Sequence, residues 1–288
     1  LCPTVETTYR QDAATAGAVE RIMEKDGAGT VRSDTAETWS VDLSRKPYRA
    51  FNTATELTLA EGGASATTRV EHTYDSYGNL GLIKDFGRKD VSGDERLTNS
   101  IFEPNLARYI LDRPVNLSIR NGLDPLGPLA SVEYYLYDNL PHGSAPIKGN
   151  LTQKVRVKQL APTDIRSTES FEYDGFGNQV AATDGIGRRS QTFFDTATNL
   201  FPEEVRSPLY AADNRHKTVL TYNMVCGAPS GRTGPDGVRI TYTYDAFCRP
   251  YIENNTVTGD YKYTRYILSG SPTDQYVATY WPTPAGEV

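Results

Sequence analysis

Three kinds of side chain in this sequence could carry chemistry: histidines, paired carboxylates and cysteines. His72, His142 and His216 lie far apart and lack the short spacings that let ligands on one element converge on a metal, so they read as structural or exposed imidazoles, with no metal. The runs GDE at 93–95 and PEE at 202–204 could supply the two carboxyl groups of a glycoside hydrolase. With 36 acidic residues in 288 such pairs arise easily by coincidence, and a carbohydrate-active enzyme stands third among the functional readings. The sequence contains no GxSxG, HExxH or phosphate-loop pattern, and GIG at 185–187 lacks the strand-to-helix setting of a nucleotide fold and reads as a turn. The expectation is no catalytic residue and no cofactor.

Composition indicates which elements must position the remaining candidates. Nineteen Tyr and 24 Gly beside 3 Cys, 2 Trp and 2 Met point to many short strands joined by turns, an all-β chain, because aromatic side chains suit pleated surfaces. The net charge is −6 with no cluster of Lys and Arg, which argues against nucleic acid as a partner. No stretch approaches the roughly 20 apolar residues of a spanning helix, so no membrane span is expected. The opening LCPTVETTYR has neither an initiator Met nor a basic-then-apolar leader and reads as a piece of a longer chain. Sequons at Asn116, Asn150 and Asn254 show only compatibility with secretion.

An internal repeat organises the strands. YDSYGN at 74–79 returns as YDGFGN at 173–178, and an aromatic followed by Asp or Asn closes six strand-like runs: Tyr74-Asp75, Tyr137-Asp138, Tyr173-Asp174, Phe194-Asp195, Tyr222-Asn223 and Tyr244-Asp245. Phe194 follows Tyr173 by 21 residues, Tyr222 follows Phe194 by 28 and Tyr244 follows Tyr222 by 22. One period therefore holds two strands and two turns. In each turn the Asp can fold back onto backbone N–H groups, and Gly78 and Gly177 can take the positive φ that a Cβ resists. In RITYTYD, Ile240, Tyr242 and Tyr244 share one face while Arg239, Thr241 and Thr243 share the other, as in a half-buried strand. The recurring aromatics are expected to stack ring upon ring in a buried ladder, and the end strands to leave open edges that favour association. Aligning YNMVCGAP on YDAFCRPY places Cys226 and Cys248 in the slot that Gly78 and Gly177 occupy, so two thiols of adjacent turns meet as a disulfide or as free thiols; Cys2 has no partner in phase.

These blocks, with YDSYGNLGLIKDFGRKDVSGDERLTNSIFEPN (74–105), YYLYDNLPHGSAPIKGNLT (134–152), FFDTATNLFPEEVRSPL (193–209) and YTYDAFCRP (242–250), resemble the RHS/YD-repeat proteins, in particular the repeat region of the B-component shell of bacterial tripartite toxin complexes. The resemblance implies a curved antiparallel sheet of stacked hairpins, a section of a β-shell that encloses a toxic C-terminal segment of the same or a partner chain. Partners would be the rest of such a chain or a partner shell subunit with its enclosed toxin, and the location secreted or cell-envelope associated. Teneurins, similar in repeat, use such a shell for adhesion, which makes an adhesion or glycan-binding module the second reading. Self-cleaving members carry paired DPxG sequences, whereas one DPLG occurs here, at Asp124–Gly127. The copies are also too few to close a shell, so the chain is expected to be wall without cargo. The expected division is a loosely matched leading segment at 1–64, the repeat segment at 65–268 and a tail at 269–288.

Overall fold

The computed structural model describes residues 2–44, 46, 48–159, 165–267 and 275–281. It is all-β: the described residues form strands paired antiparallel, with a single 3-10 turn at Pro208–Ala211 and no α-helix. The chain divides into two compact units, Leu1–Thr168 and Glu169–Val288, a boundary that falls inside the stretch grouped by repeat content as one segment.

The first unit is a meander of ten strands: β1 (Thr4–Tyr9), β2 (Val19–Lys25), β3 (Val31–Asp42), β4 (Arg49–Glu61), β5 (Ala64–Tyr74), β6 (Leu80–Arg88), β7 (Arg96–Phe102), β8 (Pro114–Asn121), β9 (Leu129–Tyr137) and β10 (Leu151–Gln159). Each pairs with the next in sequence. The second unit begins within β11 (Ile165–Tyr173) and repeats the plan with the rest of that strand, β12 (Gln179–Thr183), β13 (Arg189–Phe194), β14 (Pro202–Arg206), β15 (Lys217–Asn223), β16 (Ala228–Thr233), β17 (Arg239–Tyr244), β18 (Pro250–Asn255), β19 (Tyr261–Ile267) and β20 (Tyr276–Tyr280). Within it, each strand from β11 to β19 again pairs with its successor. Much of the expected tail, 269–274 and 282–288, lies outside the described residues, whereas β20 within it pairs along β19.

Among the described residues, buried apolar side chains are few: Ala54, Leu97, Val115, Val132, Tyr137, Pro146 and Val157 in the first unit and Ala181 in the second. Most other strand residues are half-buried on both faces. Such sheets cannot rely on a thick core, and polar cross-strand ties share the work. Glu133 on β9 shows how. Its carboxylate takes Arg156 Nε at 2.8 Å and Lys154 Nζ at 3.0 Å from β10 and the Tyr135 hydroxyl at 2.6 Å from its own strand. Glu56 on β4 similarly holds Arg69 and Lys89.

Burial by itself would raise the Glu133 pKa, but Tyr135, Arg156 and Lys154 outweigh it and hold the group at about 2, against an ordinary 4.5. A carboxyl whose folded pKa is depressed contributes stability that is complete above its unfolded value and is lost as pH falls through the folded one. Thermal midpoints measured between pH 6 and pH 2 should therefore fall below about pH 4.5 in the wild type, and Glu133→Gln should flatten that fall while lowering the midpoint at pH 7. An unchanged pH profile in the variant would count against the tie.

Candidate functional site: the repeated aromatic turn

Every odd-numbered strand from β1 to β17 carries an aromatic at or near its C-terminal end, and opposite each one the partner strand carries an extra residue. The aromatics are Tyr9, Trp39, Tyr74, Phe102, Tyr137, Tyr173, Phe194, Tyr222 and Tyr244, facing Val19, Asn52, Leu80, Pro114, Leu151, Gln179, Pro202, Pro229 and Pro250. At each the register slips by one residue, a β-bulge, which breaks the ladder locally and turns the strand. Proline recurs at this partner position, first in its strand at 114, 202 and 250 and second at 229, where no ladder hydrogen bond from its nitrogen is needed.

The polar end of the aromatic uses the carbonyl that the preceding bulge frees. Trp39 Nε1 donates to Val19 O at 2.9 Å, and Val19 is the residue opposite Tyr9. The Tyr74 hydroxyl donates to Asn52 O at 2.9 Å, opposite Trp39. Tyr137 reaches Pro114 O at 3.0 Å, Tyr222 reaches Pro202 O at 3.0 Å and Tyr244 reaches Pro229 O at 2.7 Å. One rule covers all five: each donor binds the carbonyl opposite the aromatic one repeat earlier. Burial pushes the Tyr74, Tyr222 and Tyr244 hydroxyls upward in pKa, so they remain protonated donors.

These rungs replace the expected ring-on-ring ladder. Successive aromatics sit two strands apart, on the order of 9.5 Å, beyond the roughly 4.5–7 Å of an aromatic pair. Among the described residues no two of the nine stack on each other. Rings meet instead where an inserted Phe fills the gap, Phe51 on Tyr74 and Phe201 on Tyr222, each with centroids 4.7 Å apart.

In five of the nine turns the Asp that follows the aromatic folds the chain. Asp75 Oδ1 accepts from the Tyr77 and Asn79 N–H groups at 2.8 and 2.9 Å, and Asp174 does the same with Phe176 and Asn178 at 2.9 Å. Gly78 and Gly177 then stand at φ 93° and 90°, a left-handed conformation that a β-branched residue resists. Asn79 and Asn178 close the motif on the Asp and extend it to the neighbouring turn, donating to Leu111 O at 2.7 Å and Asn199 O at 2.8 Å. In the longer turns the carboxylates hold more: Asp138 accepts four backbone N–H groups from Ile147 to Asn150, and Asp195 accepts from Thr198, Leu200 and Phe201. Asn223 plays the same part for Val225 and Cys226, and Asp245 for Phe247 and Arg249. These hydrogen bonds, and at Asp245 first of all the Arg249 side chain, drive the Asp138, Asp195 and Asp245 carboxyls below the usual range.

Cys226 and Cys248 are joined, with Cα atoms 5.3 Å apart. Cys248, at φ 59°, occupies the left-handed slot of its turn as Gly78 does. Cys226 does not: in its turn the left-handed residue is Gly227, at φ 61°, and Cys226 precedes it by one. The phase alignment is therefore offset by one residue there, because the turn closes from Gly227 N to Asn223 O whereas the other closes from Cys248 N to Asp245 O. The bridge links two turns that lack the Asn tie, since Gly227 and Arg249 stand where Asn79 and Asn178 stand.

The other candidates are absorbed locally. His72 Nδ1 meets Asn52 Oδ1 and His142 Nε2 meets Val115 O, each at 3.0 Å. Glu204 binds Arg206 and Lys217, while Asp94 and Glu95 accept the Arg88 and Gly93 N–H groups. GIG at 185–187 lies in a turn organised by Asp184, and DPLG in one organised by Asp124. Sequence reasoning missed Tyr9, Trp39 and Phe102, which are followed by Arg, Ser and Glu; an aromatic ending an alternating strand was the only signal. Two of these three lie in the leading segment, which shares the architecture.

No family model and no curated protein matches the chain. Solved structures do. Crystal structures of TcdB2-TccC3-Cdc42 and of TcdB2-TccC3 without its hypervariable C-terminal region each match with a TM-score of 0.57 at 11% identity, covering 90% of this chain and 17% of theirs. TcdB2-TccC3 itself matches at 0.57 and 12%, covering 92% and 18%. The chain thus shares its fold with part of these TcdB2-TccC3 chains and spans less than a fifth of their length.

Tyr222→Phe and Tyr244→Phe should each cost about 1 kcal/mol in chemical denaturation, the worth of a hydrogen bond whose acceptor is left behind. Phe194→Tyr, whose new hydroxyl would face Gln179 O opposite Tyr173, should be neutral or stabilising by up to about 1 kcal/mol. Two neutral Tyr→Phe variants would remove the rung from the account. Alkylation of the denatured, unreduced chain should label Cys2 alone, and reduction should lower stability by about 3 kcal/mol, the loop entropy of a 22-residue separation.

Proposed function

We propose that the chain is a non-catalytic structural segment of an RHS/YD-repeat shell that encapsulates and helps deliver a toxin. The observation that carries this reading is the rung: five repeats are each tied to the one before by a half-buried or buried donor on its carbonyl, which builds a stiff wall by nearest-neighbour contacts. The fold shared with TcdB2-TccC3 over 90–92% of the chain supports the same role. Because the chain spans only 17–18% of those chains, its partners are the rest of such a chain or a partner shell subunit, together with the enclosed toxin. Work of this kind takes place outside the producing cytoplasm, where the Cys226–Cys248 bridge is stable. No described helix is long and apolar enough to cross a membrane.

The turn carboxylates support a non-enzymatic role. Asp75, Asp138, Asp174, Asp195 and Asp245 are engaged by backbone N–H groups and held ionised, which suits turn formation and does not suit the protonated acid of a glycosidase. The adhesion reading calls for outward aromatics, and the rung donors are half-buried or buried with their polar ends taken up.

Purified chain incubated alone should keep its intact mass and should not hydrolyse a panel of chromogenic glycosides. A specific fragment, or turnover, would overturn the non-catalytic reading. In the full-length source protein a toxin segment should resist added protease; digestion at the rate of the free segment would overturn encapsulation.

A further inference from the structure

We propose that the Cys226–Cys248 bridge is a site of thiol–disulfide exchange, opened at Cys248 Sγ by a dithiol oxidoreductase that docks on the apolar turn tips beside it. The proposal does not depend on the wall reading.

A disulfide is an electrophile at each sulfur, and access decides which one a thiolate reaches. Cys248 is exposed and Cys226 is half-buried. The exposure follows from the turn. Asp245 Oδ1 accepts the Phe247 and Arg249 N–H groups while Cys248 N closes on Asp245 O, so residues 246–248 form an exposed tip. The bridge therefore lies beyond the strand ends, past the last paired residues Asn223 and Tyr244, and no ladder neighbour covers it.

The tips supply the dock. Val225 is 93% exposed and Phe247 76%, and each directly precedes one of the bridged cysteines. Their N–H groups are held by Asn223 and Asp245 at 3.0 and 2.9 Å, which fixes both residues at the surface. With the cysteine Cα atoms 5.3 Å apart, the two apolar residues flank a single sulfur pair, and the exposed Met224 widens the patch. Apolar tips recur at Tyr77 and Phe176, so their exposure is a property of the turn; among the described residues only the tips at 225 and 247 have a sulfur electrophile between them. Such a collar favours a protein dithiol, which buries apolar surface as it attacks, over a small hydrophilic thiol such as glutathione.

The exchange runs in two steps. The first thiolate of the dithiol attacks Cys248 Sγ, the S–S bond breaks, and Cys226 leaves as a thiolate that takes up a proton. The second thiol, giving up its proton, attacks the mixed disulfide and releases Cys248, which is protonated in turn. The bridge gains two electrons and two protons, and the dithiol becomes a disulfide. The consequence is local. Among the described residues no hydrogen bond or ion pair joins 223–227 to 245–249, since Gly227 and Arg249 stand where Asn79 and Asn178 tie other turns. Reduction frees these two turns from each other, while Tyr244 keeps its bond to Pro229 O.

The test incubates the whole 288-residue chain, folded and oxidised, with a thioredoxin whose second active-site cysteine is replaced by serine, so that the mixed disulfide accumulates. Peptide mapping should find the adduct on Cys248, with Cys226 free to alkylation. The paired change Val225→Ser and Phe247→Ser should slow adduct formation about fivefold or more and leave the rate of reduction by glutathione as in the wild type. With unmodified thioredoxin, hydrogen exchange should rise at 223–227 and 245–249 and stay unchanged across β16 and β17. No adduct on the folded chain, an adduct on Cys226, or a serine variant that reacts as fast as the wild type would each overturn the proposal. Equal slowing with glutathione would overturn it too, because it marks access and not docking. None of these outcomes bears on the mass and protease tests of the wall reading.

Discussion

The structure depends on one recurring hydrogen bond, from the polar tip of a strand-end aromatic to the carbonyl opposite the aromatic of the previous repeat. Two features must coincide to make it. A bulge must free the carbonyl from the ladder, and the next aromatic must lie far enough along the strand for its hydroxyl or indole N–H to span the two-strand gap. Tyr74 on Asn52 O, Tyr222 on Pro202 O and Tyr244 on Pro229 O all satisfy both. A Phe at the same place, as at 102 and 194, keeps the ring and omits the bond, so the repeat tolerates gaps without losing register.

This arrangement answers a problem posed by the sheets themselves. With only a handful of apolar side chains fully buried, burial cannot be the main source of order, and the carbonyls released by bulges would be unsatisfied without the rungs. The Asp of each turn solves the complementary problem at the strand end, where N–H groups are left over. Asp138, with four backbone donors, and Asp195, with three, show how a single carboxylate satisfies a whole connection. Its charge is then already used, which is why a chain rich in acids has so little acid chemistry to offer.

Neighbouring turns are clasped by chemistry that changes along the chain while its geometric task stays constant. The Asn79 and Asn178 amides do it by hydrogen bonds, the Cys226–Cys248 bridge covalently, and Arg249 by lying 4.1 Å from the Tyr266 ring while holding Asp245. Each clasp joins only adjacent repeats. A sheet built on such local ties can lengthen or shorten by whole repeats, which fits a chain whose fold recurs within much longer ones.

The sequence by itself determined what is local. The Asp of YDSYGN and YDGFGN, the glycine three residues on and the alternation before them act within about six residues, so their types carry the turn and the strand directly. The period followed from these, and with it the all-β fold. What spans strands was decided only by tertiary structure. Tyr9, Trp39 and Phe102 join the series because of where a bulge falls on the opposite strand, not because of the residue that follows them. The rungs replace ring stacking because two strand spacings exceed the reach of one ring on another. Gly227 rather than Cys226 takes the left-handed position because its turn closes one residue later, a choice of hydrogen bond that residue types alone leave open.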